Sequence, residues 1–139
     1  MKDEKKIISS GFGDTFLLSS NQIRYLLDSA GFKKKGANCS VYDIGQGSAQ
    51  ITAEIAKAME TDLVYCYDTN KVANKIAKKM GYLVTDELSS FGKHGSDIPE
   101  CDLFDLISIV NVIDRVIDPV DLLARAMSVS KRRHKNNIC

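Results

Sequence analysis

The run Asp43-Ile44-Gly45-Gln46-Gly47 sets a carboxylate two residues ahead of a pair of glycines. Val41 and Tyr42 lead into it as an apolar strand, and Ser48 to Met59 follow with apolar residues at helical spacing. A strand that turns through glycines into a helix lets a backbone close on the polar end of a small molecule. Gly45 permits a turn that a side chain would obstruct, and Gly47 lets the main chain approach a ligand. N–H groups at the start of the helix can meet a carboxylate. Asp68 ends the next apolar run, about twenty residues after the turn, the spacing of an acid that binds two ribose hydroxyls. A second role is open to Asp68, as a cap for the helix that follows it.

Two residues separate the candidate ligands. A dinucleotide fingerprint wants Gly or Ala three residues after its second glycine, and Gln50 stands there. Asp43 would gain nothing from an anionic pyrophosphate, whereas its carboxylate can address a cationic amino group. S-adenosylmethionine carries such a group beside a ribose. The expected cofactor is therefore S-adenosylmethionine, held by Asp43, Gly45, Gly47 and Asp68.

The elements that must position these residues follow from periodicity. Ser19 or Ser20 caps a short helix with Ile23, Leu26, Leu27 and Ala30 on one face and Gly31 as its stop. Strands are expected over 39–44, 63–67, 82–84 and 104–110. Helices are expected over 48–59, with Ile51, Ile55, Ala58 and Met59 inward, and over 69–80, with Val72, Ala73, Ile76, Ala77 and Met80 inward. Asp118-Pro119 opens a further helix to about Val129, with Val120, Leu123, Ala124 and Met127 as its apolar face. Residues 85–103 read as a loop or irregular helix. Strands alternating with helices predict an α/β fold with a doubly wound parallel sheet covered on both faces.

With 139 residues the chain suits one domain, and a formal charge of +1 gives no field that draws in nucleic acid. Lys33-Lys34-Lys35 reads as a solvated connector. Cys39, Cys66, Cys101 and Cys139 lie far apart with no C-x-x-C pair, which argues against a metal site. No apolar run approaches the roughly 20 residues that cross a membrane. Residues 1–15 are expected to form a flexible N-terminus, 16–130 the domain and 131–139 a basic tail. An intracellular, cytoplasmic location is the default expectation.

Val110-Asn111-Val112-Ile113-Asp114-Arg115-Val116-Ile117-Asp118-Pro119, followed by Leu122-Leu123, resembles the DREV family, the methyltransferase-like protein 9 group of protein-histidine methyltransferases. Phe16-Leu17-Leu18-Ser19, the glycine turn and Thr52 also fit, so the resemblance runs from about Gly11 to Val129. It implies a Rossmann-like class I methyltransferase sheet and S-adenosylmethionine-dependent transfer of a methyl group to the pros nitrogen of histidines in His-x-His sequences. By resemblance, Asn111 lies at the cofactor and, with Asp114, orients the substrate imidazole as the catalytic pair. A carboxylate that accepts a hydrogen bond from the second imidazole nitrogen would fix the tautomer and stabilise the cation that forms. Endomembrane or mitochondrial association is implied by the family. Ser48 and Ala49 replace the acid and third glycine usual in its turn, and Asp68 stands where glutamate is common.

The family's sheet has seven strands, and this sequence supplies the first four. The expectation is a C-terminally truncated domain whose fourth strand presents an apolar edge, open to a partner that covers it. Three functions follow: a histidine methyltransferase limited by truncation, a non-catalytic S-adenosylmethionine-binding fragment, or a nicotinamide-dependent oxidoreductase half-domain.

Overall fold

All of β1 (Val41–Ile44) is buried, because the strand has neighbours on both edges and helices over both faces. The computed structural model describes residues 18–85, 104–110 and 112–131, the Asp114 side chain excepted. Within them β2 (Val64–Tyr67), β3 (Leu83–Val84) and β4 (Leu106–Ser108) join β1 in a parallel sheet of order β3-β2-β1-β4. Val41 pairs with Val64 on one side and Leu106 on the other; Asp43 pairs with Cys66 and Ser108. Strand order therefore reverses at β1, and the crevice beyond the carboxyl ends of β1 and β4 is where such sheets take ligands.

The helices are α1 (Ser20–Ser29), α2 (Gln50–Met59), α3 (Lys71–Lys79) and α4 (Pro119–Val129). Ser19 caps α1 in a reciprocal capping box with Gln22. Asn70 caps α3, and Asp118 caps α4 ahead of Pro119. Alternation along β1 divides the core. Val41 faces Val64, Cys66 and the α2 residues Ile51, Ile55, Ala58 and Met59, with Ile23 of α1 and Ala77 of α3. Tyr42 and Ile44 face the opposite way, onto Phe104 and the α4 residues Leu122, Ala126 and Val129. The Tyr42 and Phe104 rings stack with centroids 4.8 Å apart, and Tyr65 meets Phe104 edge-on.

Several expectations are corrected. The buried stripe of α4 is Leu122, Ala126 and Val129, whereas Val120 and Met127 are 74% and 70% exposed and Leu123 and Ala124 also face outward. This helix is apolar around most of its circumference, so periodicity leaves two stripes available, and the Tyr42–Phe104 platform selects one. On α1 Leu26 and Ala30 are exposed, and on α3 so are Val72 and Met80. The fourth strand is shorter than 104–110: Phe104 instead forms a parallel bridge with Ser130 on the outer side of β4, its N–H donating to Val129 O and its carbonyl accepting from Lys131 N. The expectation for residues 86–103 lies outside the described residues, as do those for 1–17 and 132–139.

The opening end of the sheet is clamped by Asp105, whose side chain is 6% exposed. It accepts hydrogen bonds from Lys34 Nζ at 2.8 Å, Ser40 N at 2.9 Å, Ser40 Oγ at 3.2 Å and Lys131 Nζ at 3.2 Å. This joins the α1–β1 connector, β1, β4 and the end of α4. Lys35 pairs with Asp28 at 3.9 Å, so two lysines of the connector serve the fold. Burial works to raise the Asp105 carboxyl, but the hydrogen bonds from Lys34, Ser40 and Lys131 outweigh it and hold the group below its ordinary value.

A folded-state pKa below the unfolded one contributes stability above the ordinary carboxylate value and loses it as pH falls through the folded value. Asp105→Asn is expected to cost about 1–3 kcal/mol at pH 7. The gap from wild type narrows below about pH 4. Urea denaturation at pH 7 and pH 3 checks both, and an equal gap at the two pH values would contradict the assignment.

Candidate functional site

Asp43 lies at the carboxyl end of β1, just ahead of the glycine turn, and is 3% exposed. Its side chain points toward α2, where Thr52 Oγ1 donates to Oδ2 at 2.5 Å; the Ser108 hydroxyl of β4 hydrogen-bonds it as well. Burial pushes the carboxyl up to about 6. The two hydroxyls oppose that rise, while the nearby charge of Asp68 adds to it.

The turn itself is built from left-handed residues: Gly45 has φ +74°, Gly47 +52° and Ala49 +61°. Its shape is held by Gly45 N donating to Tyr67 O at 2.7 Å and Ala49 N to Gln46 O at 2.8 Å. Ala49 occupies a left-handed region that favours glycine, at a cost of roughly 1 kcal/mol. No side chain caps α2, which leaves its first N–H groups available to an anion such as a carboxylate.

Asp68 faces this turn from the end of β2. Oδ2 accepts from Gly47 N at 3.1 Å and Oδ1 from Asn70 N at 2.8 Å. The capping of α3 belongs to Asn70, whose Oδ1 accepts from Val72 N at 2.8 Å. Asp68 thus ties the glycine turn to β2, and each carboxylate oxygen keeps capacity for another donor. Sequence reasoning passed over Gln46 and Asn74. Gln46 Nε2 donates to Asn74 Oδ1 at 3.0 Å, and Asn74 Nδ2 donates to Asp68 O at 2.8 Å. Gln46 Oε1 is buried and has no hydrogen-bond partner among the described residues. The only signal was a long polar side chain between two glycines.

These residues form one wall of a cleft of about 540 Å³, the size range of small-molecule sites. The opposite wall comes from the segment after β4. It includes Val110, Val112, Arg115, Asp118, Asp121 and Arg125. Asp118 Oδ1 accepts from Asp121 N at 3.0 Å, and Asp121 pairs with Arg125 at 2.8 Å. The 3₁₀ turn Ile113–Arg115 carries the Asp114 backbone. Asn111 and the Asp114 side chain lie outside the described residues. Their neighbours Val110 and Val112 both line the cleft, so the fold brings that segment to the site that holds Asp43, Gly45, Gly47 and Asp68.

Asp43 and Asp68 could accept from an ammonium and from ribose hydroxyls, and the N–H groups at the start of α2 could donate to a carboxylate. Acidic side chains outnumber arginines along the cleft, an environment that favours a cation over a pyrophosphate. Among the described residues no helix is long and apolar enough to cross a membrane, and no cluster of His, Cys, Asp and Glu could hold a metal. A family model described as DREV methyltransferase matches residues 7–139. No curated protein gives a match.

Because Asp43 holds its proton more tightly in the folded state than in the unfolded chain, it lowers stability as pH rises from about 4 to about 6. Asp43→Asn, which keeps an acceptor for Thr52, is expected to stabilise the fold at pH 7 by about 1–2 kcal/mol. The gain vanishes below pH 4. Denaturant titrations across pH 3–7 measure it; a destabilised variant at pH 7 would show that the carboxylate is held by attractions this geometry lacks.

Proposed function

This chain belongs to the DREV methyltransferase family, and from that premise we propose that it binds S-adenosylmethionine and serves methylation of histidine in His-x-His sequences of proteins. The observation that carries the reading is the cleft at the reversal of strand order. There a buried acid precedes the glycine turn and a second acid lies across from it, with Val110, Val112 and Arg115 on the facing wall.

When bound, S-adenosylmethionine supplies a sulfonium methyl group to a nitrogen nucleophile. Asp43 receives the amino group of its methionine end, and the first N–H groups of α2 receive the carboxylate. Asp68 accepts the ribose hydroxyls while keeping Gly47 in place. By family resemblance, Asn111 would contact the cofactor and the substrate ring. Asp114 accepts a hydrogen bond from the second imidazole nitrogen, which leaves the pros nitrogen unprotonated and aimed at the methyl group. As positive charge develops on the ring, the same carboxylate stabilises it.

A partner segment completes the picture at the outer edge of β4. Among the described residues that edge carries the single bridge from Phe104 to Ser130, and a strand continuing this parallel ladder would shield it. Without such a segment the chain acts as a binding module, retaining the cofactor contacts of β1 and β2 but not transfer.

Calorimetric titration with S-adenosylhomocysteine and, separately, with NAD tests the site. Binding of the first and not the second is expected, and the reverse would overturn the reading. Affinity falls below about pH 6 as Asp43 takes up its proton. Asp43→Asn weakens binding about tenfold or more. Transfer of labelled methyl to a His-Ala-His peptide is expected to be lost in Asp114→Ala; retained transfer would remove Asp114 from its role.

A further inference from the structure

Glycines in this fold differ in what surrounds them. Gly31, Gly36 and Gly81 all have positive φ, and a Cβ added at any of them would meet open space. Their identity is a matter of backbone conformation alone. Gly45 is different: a Cβ there would collide with Cγ2 of Val112 and lie 3.4 Å and 3.5 Å from its Cβ and Cγ1. The group in that hollow belongs to neither β1 nor α2. It comes from the opposite wall of the cleft, between Asn111 and the 3₁₀ turn.

Val112 is anchored on both sides of this contact. Its side chain packs against the cluster of Tyr42, Ile44, Phe104 and Leu122, and its carbonyl accepts from Arg115 N at 2.9 Å, closing the turn over Asp114. A β-branched side chain is stiff at χ1. A shift of Gly45 against Val112 therefore passes to the backbone of residue 112 rather than being absorbed by a rotamer change.

We infer that Val112 is a positioning residue: seated where Gly45 lacks a side chain, it locks the 3₁₀ turn Ile113–Arg115 to the turn that grips the cofactor. A ligand that restrains residues 45–47 thereby restrains residues 112–115. This rests on the reading of the cleft as an S-adenosylmethionine site, but its steric half stands independently of any ligand.

A double-mutant cycle on the full 139-residue chain tests the steric half. The melting-temperature losses of Gly45→Ala and Val112→Ala are expected to exceed, in sum, the loss in the double variant by about 3 °C or more. Additive losses would overturn the inference. If Gly45→Ala does not fold, the double variant is expected to recover a cooperative transition, and failure to recover it counts against the inference. Hydrogen exchange tests the coupling. In the wild type, S-adenosylhomocysteine is expected to slow exchange of the Arg115 amide about tenfold. Val112→Ala, measured at a ligand concentration that saturates the variant, is expected to lose that protection. Retained protection at saturation would mean that Val112 only supports the pocket. A wild type that binds no S-adenosylhomocysteine removes the functional reading instead, and the melting cycle still decides the contact between the walls.

Discussion

A carboxyl group enclosed at the end of the central strand is the least comfortable element of this fold, and the cleft is arranged around it. Asp43 is surrounded by neutral hydroxyls of Thr52 and Ser108 rather than by a cation. Two neutral hydrogen bonds do not offset the loss of water around a full charge. The group therefore favours its proton more than a solvated aspartate does, and among the described residues no positive charge offsets its burial. A ligand ammonium would provide one. Stability is given up at a position that lines the cleft, a common relation between folds and their sites.

Asp105 shows the contrast within the same sheet. It is also nearly enclosed, but Lys34, Lys131 and the Ser40 amide all donate to it. That carboxylate is held in its charged form and fastens four segments at the opening end of the strands. One acid at each end of the β1–β4 pair thus has opposite electrostatics. The satisfied one anchors the fold, and the unsatisfied one faces the cleft.

The turn between β1 and α2 bears a second strain. Ala49 takes a left-handed conformation that favours glycine, yet the turn keeps its shape because Gln46, Tyr67 and Asp68 all bind its backbone. Backbone that is over-determined in this way can hold an unfavourable residue. Val112, from the other wall, occupies the space beside Gly45.

Much of this was legible in the residues themselves. Alternating short apolar runs and amphipathic segments specified a parallel α/β sheet, because each pattern can bury its apolar side in only one regular way. Asp43, the glycines and Asp68 were identifiable because a strand–turn–helix junction constrains residue type locally. The helix faces were less secure: α4 offers two apolar stripes, and its choice depends on the stacked rings of Tyr42 and Phe104, which are 62 residues apart (104 − 42) in the chain. Gln46, Asn74 and the Asp105 clamp were invisible for the same reason, since each acts through a partner distant in sequence. What the sequence determined alone was the order of elements and the residues of the glycine turn, through short-range spacing. What only the tertiary structure decided was which groups face one another, that Asp43 meets two hydroxyls while Asp105 meets two lysines, and that Val112 fills the space Gly45 leaves, because burial and contact are set by the packing of remote segments.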